Sequence, residues 1–126
     1  MAINNWPVAT KNENLDNSLD KADAGTDPGV LVAYTDSGML TEVATLTLSN
    51  PAFAAASTTK VAYGVTSDTN ATGGTIAWAA IEDSDGNLVH DGDATVTGGG
   101  GAYTFDVLVV PAGGIVNCTQ MVGANV

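Results

Sequence analysis

The sequence predicts an all-β fold: a small antiparallel β-sandwich, jelly-roll or immunoglobulin-like, with one short N-terminal helix. Three observations carry this expectation. About eight short apolar or alternating runs follow one another at the spacing usual in sandwiches. Fifteen glycines and many Ser and Thr residues supply turns between them. A helical period of apolar residues occurs once, near the start. A chain of 126 residues fits one domain. Apolar residues make up 44% of it and aromatics only 6%, so the core is built mainly from small side chains.

Taken in order, residues 1–11 read as a polar N-terminal arm, either free or docked on a neighbour. Its Trp6-Pro7 pair is extended by the pre-proline restriction. Residues 12–126 then form a single sandwich domain that includes a helix over 12–24. Leu15, Leu19 and Ala22 give that helix one apolar stripe, Asn12 or Asn14 caps its start and Gly25 ends it. Asp27-Pro28-Gly29 is a turn, residues 30–34 a strand, and Asp36-Ser37-Gly38 the next turn. In residues 39–48, Leu40, Ala44, Leu46 and Leu48 lie on one face against Val43, Thr45 and Thr47 on the other, which predicts one buried and one wet face. Asn50-Pro51 breaks this strand, and residues 51–59 form a connection anchored by Phe53. Residues 60–66 are a strand and 68–74 a polar loop.

The stretch 73–93 reads as the central hairpin. Its leading strand, 75–81, has Ile76, Trp78 and Ala80 on one face and Ala77, Ala79 and Ile81 on the other, so both faces are covered. Asp83-Ser84-Asp85-Gly86-Asn87 is the turn, its Asp-Gly pair being a strong hairpin signal. Pairing apolar with apolar favours Ile81 opposite Val89 over Ile81 opposite His90. Asp91-Gly92-Asp93 reads as a bulge. The four glycines 98–101 read as a mobile hairpin tip. Residues 102–110 and 114–121 close the fold as a last hairpin around Pro111-Ala112-Gly113.

Charge excludes whole classes of partner. Fourteen acids face three lysines and no arginine, for a net charge of −11. Nucleic acid and anionic membrane surfaces are therefore not expected ligands, since both are bound through Lys and Arg. The acidity favours solubility and docking onto basic surfaces. Cys118 is alone, so no intrachain disulfide forms. No basic-then-apolar leader opens the chain and no apolar run approaches the roughly 18 residues of a membrane helix.

Candidate chemistry is thin. Asp83, Asp85 and Asn87 have the one-three-five spacing of calcium-loop oxygens and are the candidate metal ligands, with Asp91 and Asp93 as further oxygens if the hairpin curls. Position six of that loop is Leu88 where a glycine is needed, and turn chemistry already accounts for all three. His90 is the single histidine and lacks the partners that a zinc site or a general base requires. Cys118 sits in an apolar strand, which makes a thiol inert. The glycine run has neither the lysine nor the following helix of a phosphate cradle. No catalytic residue and no cofactor is expected.

Four blocks, Ala44–Phe53 (ATLTLSNPAF), Asp68–Trp78 (DTNATGGTIAW), Asp83–Gly86 (DSDG) and Asp91–Asp93 (DGD), stand in an order that resembles small structural proteins of tailed bacteriophages. An amphipathic helix, Gly-rich turn and strand over 15–34 also fit that family. The resemblance implies a non-enzymatic virion protein on the capsid exterior, made in the host cytoplasm: a head decoration or cement protein that binds the major capsid protein, as a homo-oligomer. Trp6 and Pro7 in the arm are then its candidate partner contacts. A tail, neck or fibre component is the alternative, and a calcium-dependent carbohydrate-binding module a third reading.

Overall fold

The computed structural model describes residues 7–124 except Thr58 and Tyr63. The helix α1 (Val8–Leu19) begins earlier than Asn12, because Pro7 holds the cap position in an extended conformation and its carbonyl accepts the Lys11 N–H. Proline has no N–H to leave unpaired there, and its fixed φ suits a helix entry. The helix tightens into a 3₁₀ turn, Asp20–Asp23, and the stripe of Leu15, Leu19 and Ala22 is buried as expected.

Among the described residues ten strands follow: β1 (Val30–Tyr34), β2 (Glu42–Leu48), β3 (Thr59–Val61), β4 (Val65–Thr66), β5 (Gly74–Thr75), β6 (Trp78–Glu82), β7 (Leu88–Val96), β8 (Tyr103–Phe105), β9 (Val109–Val110) and β10 (Cys118–Ala124). Eight of them form one sheet in the order β3-β10-β8-β7-β6-β1-β2-β4, and β5 pairs with β9 in a second. The end strands β3 and β4 are consecutive in the chain, joined only by residues 62–64, so the sheet has to curl until its two ends meet. Ser49 N–H to Gly64 O and Ala62 N–H to Met121 O anchor the join, and Asp68 and Val116 exchange both backbone bonds below it. The result is a small β-sandwich with one short helix, as the sequence predicts. The segment expected as one strand over 60–66 is thus two, on opposite ends of the sheet.

One pair is not antiparallel. β7 and β8 run parallel, with Ala94, Thr95 and Val96 opposite Tyr103, Thr104 and Phe105. Parallel neighbours ordinarily need a crossover of a dozen or more residues; here six suffice, 97–102. Gly98 (φ +86°) and Gly100 (φ +83°) reverse the chain, and Cβ atoms at Gly99 and Gly101 would lie 2.7 and 2.9 Å from the Thr95 side chain. Gly101 N–H donates to Thr95 Oγ1 and Ala102 N–H to Asp93 Oδ1. The four glycines are therefore not a hairpin tip but a return passage packed against β7. The last hairpin is also modified: β8 and β10 pair antiparallel, while β9 leaves to join β5.

The central hairpin forms with a different register. Ile81 lies opposite His90 and Glu82 opposite Leu88, with a bulge between, so Val89 is the extra residue and not Ile81's partner. The turn decides this: Asp83 N–H donates to Asn87 O while the Asp83 carboxylate accepts the Asp85 and Asn87 N–H groups, and Gly86 takes φ +84°. Asp91-Gly92-Asp93 is regular ladder, opposite Ala80, Ala79 and Trp78, rather than a bulge. Gly92 is needed there because a Cβ would lie 2.8 Å from Ala102 Cβ, with the Tyr103 ring beyond it.

The main core joins Leu15 and Leu19 to Leu31, Leu46, Leu48, Ile81, Tyr103 and Phe105, and Phe53 anchors the 51–59 connection as expected. Four placements differ. Val43, expected on the wet face with Thr45 and Thr47, is fully buried in the main core, because a bulge in β2 makes it the extra residue opposite the Ala33-Tyr34 step. Ala77, expected on a covered face, is exposed ahead of β6. Leu40, expected on the buried face, is 91% exposed because β2 starts only at Glu42. Ile76 precedes β6 and enters the main core, away from Trp78 and Ala80.

Candidate protein-interaction face

Residues paired across antiparallel strands project on one side of the sheet. The registers of β2, β1, β6 and β7 thus set three rows on the outer face: Thr47-Val30-Glu82-Leu88, Thr45-Val32-Ala80-Asp91 and Glu42-Tyr34-Trp78-Asp93. The centre is apolar, with Val32, Tyr34 and Ala80 buried under contacts from Val30, Met39 and Trp78. The rim is anionic. Tyr34 Oη donates to Glu82 Oε2 at 2.8 Å and Trp78 Nε1 to Asp91 Oδ2 at 2.9 Å, so both rings are held by carboxylates. Burial, then the hydrogen bond and charge of Glu82, push the Tyr34 hydroxyl far above the ordinary phenol range, which keeps it a donor.

On this face and beyond it, acids also hold backbone. Seven aspartates, Asp16, Asp23, Asp36, Asp68, Asp83, Asp93 and Asp106, accept hydrogen bonds from main-chain N–H groups. Short strands leave many loop amides without ladder partners, and an ionised carboxylate satisfies them well. Hydrogen bonds from the Asn87 side chain and backbone hold the Asp83 carboxyl below its usual range. For Asp106, burial acts upward, and the bonds from Asn117 together with the Val107 and Asp106 backbone outweigh it, so the net direction is down.

Lys60, which the sequence reading did not single out, is the buried exception. It is 1% exposed, and its Nζ lies 2.5 Å from Asp16 Oδ1, 3.0 Å from Asp20 Oδ1 and 2.8 Å from Ala54 O. It ties α1 to β3 and to the 51–59 connection. The i, i+4 spacing of Asp16 and Asp20 on one helix face was the available signal.

The structure places the sequence candidates apart from one another. Trp6 lies outside the described residues; Pro7 is exposed at the start of α1. Asp83, Asp85 and Asn87 form one turn in which the Asp83 carboxylate already accepts three hydrogen bonds, two from backbone and one from Asn87 Nδ2. No cluster of three or more metal-ligating side chains occurs among the described residues. His90 Nδ1 is 2.7 Å from the buried Tyr103 hydroxyl. Burial pushes the Cys118 thiol up to about 11; it lines a shallow cleft of about 250 Å³ with Ala62, Val65 and Met121, where the curled sheet meets itself. No helix among the described residues is long and apolar enough to cross a membrane.

No protein-family model matches the chain, and neither a curated protein nor a solved structure matches it.

Proposed function

We propose that the chain is a non-enzymatic structural protein of a tailed-phage virion, a decoration or cement protein that binds the major capsid protein on the outer lattice as a homo-oligomer. The observation that carries the non-enzymatic half is the use of its ionisable groups. Seven aspartates hold loop backbone, Lys60 joins helix to sheet, and His90 pairs with Tyr103. These groups are engaged in holding the scaffold rigid, and a rigid scaffold is what a lattice clamp needs. The virion half rests on the order of the four sequence blocks. Support for the exterior position comes from the net charge of −11, which steers the chain toward basic surfaces. Cryo-electron microscopy of the virion tests this: density for the chain on the capsid exterior is the expected result. Its absence there overturns the reading, and labelling confined to the tail replaces it with the tail or neck component.

A further inference from the structure

We infer that the outer face of β2, β1, β6 and β7 docks a basic, extended segment of another protein, with Trp78 facing a cationic side chain and Asp91 and Asp93 pairing with two more. This deepens the preceding reading by naming the surface and its ligand chemistry. The face carries four carboxylates, Glu42, Glu82, Asp91 and Asp93, around an apolar centre, and no lysine. All three lysines are elsewhere: Lys11 in α1, Lys21 in the 3₁₀ turn and Lys60 buried in β3. A second copy laid on this face would bring four like charges against four, so charge complementarity selects a cationic occupant. Trp78 is half-buried and its indole plane is fixed by the bond to Asp91, which presents an aromatic surface beside negative charge, the arrangement that favours Arg or Lys. Asp91 uses Oδ2 toward Trp78 and Asp93 uses Oδ1 toward Ala102, so each has its other oxygen to offer a donor. They are two residues apart on one strand face, about 7 Å. Alternate side chains of an extended peptide repeat at the same distance. Leu88, 53% exposed at the end of the first row, adds apolar contact.

A fluorescein-labelled peptide of alternating Arg and Ser is the probe, read by anisotropy with the full chain at low salt and at about 0.3 M salt. Binding that weakens with salt is expected. Asp91→Asn with Asp93→Asn keeps both structural acceptors and is expected to weaken binding about tenfold. Asp27→Asn with Asp85→Asn removes equal charge from exposed turns and is expected to change it less than about twofold. Trp78→Phe, with all four acids kept, is expected to weaken it about threefold. Equal losses in the two double variants, unchanged binding in Trp78→Phe, or absence of salt-dependent binding by the wild-type chain overturns the inference. So does light scattering that shows a dimer disrupted by Asp91→Asn with Asp93→Asn. The assay contains no virion, so its failure leaves the virion reading standing, and absence from the virion leaves this surface standing.

Discussion

Stripping charge from the two sides of the Lys60 cluster should have unequal consequences. The Lys60 side chain is 1% exposed, whereas Asp16 and Asp20 are 38% and 50% exposed. Lys60→Met removes the buried ammonium and returns two carboxylates to water that already reaches them. It loses charged hydrogen bonds but recovers the ammonium's desolvation and buries an apolar stem, for a net cost of about 1 kcal/mol. Asp16→Asn with Asp20→Asn keeps an acceptor for the Ala56 N–H but strands the Lys60 charge without a counter-ion, leaving it only neutral acceptors, Ala54 O and the amide oxygens. A stranded buried charge costs about 3–5 kcal/mol, and the open acid side places this one near 3. At about 2.1 cal/mol/K per residue, 126 residues give an unfolding entropy near 0.26 kcal/mol/K, so the expected falls in melting temperature are about 4 °C and about 11 °C. Scanning calorimetry at neutral pH on both variants measures them. A Lys60→Met loss equal to or larger than that of the double variant refutes the asymmetry and the burial argument behind it.

Asp16, Asp83 and Asp106 are all held below the ordinary carboxyl value of 3.8 in the folded chain: Asp16 chiefly by the Lys60 hydrogen bond, Asp83 by Asn87, and Asp106, against its burial, by bonds from Asn117 and from the Val107 and Asp106 backbone together. A lowered folded pKa contributes stability that is present above the unfolded value and lost as pH falls through the folded one. Urea midpoints should therefore stay level down to about pH 4 and decline below it, and a midpoint that rises on acidification contradicts this. Iodoacetamide labelling of Cys118 at pH 8 should be about 100-fold slower than that of a free thiol, since burial moves its pKa from 9.0 to about 11; labelling at the free-thiol rate would show the site open. Gly98→Ala has open space around the new methyl group but a φ of +86°, so it should cost about 1 kcal/mol in urea unfolding. A neutral result would mean that the return passage takes another path.

Local chemistry was legible in the sequence where it acts alone. β1 matches its expected bounds, Phe53 is the anchor, and Leu15, Leu19 and Ala22 form the buried stripe. The misses share a cause: a specific side-chain acceptor overrode a pattern read from apolarity or composition. Pairing apolar with apolar put Ile81 beside Val89, but the Asp83 carboxylate fixed the turn, and His90 across from Ile81 reaches Tyr103. The glycine run looked like a tip because its composition does not show that Thr95 takes the Gly101 N–H and Asp93 the Ala102 N–H that follows it. The outer face was half legible. Trp78 and Ala80 were assigned together, but Asp91 and Asp93 joined them only once the bulge proved to be ladder. Lys60 was passed over because its two acids lie some forty residues away, on a helix whose polar positions carry no mark of what they face.

The meeting of β3 and β4 through residues 62–64 bears on how the protein behaves when crowded. An open sheet ends in rows of unpaired amides and carbonyls that can recruit another chain and seed fibrils. Here the two terminal strands are three and two residues long and turn toward each other, so little template is left for such growth. Many copies can then be held side by side at high density without zipping together, and contacts between molecules are left to side chains.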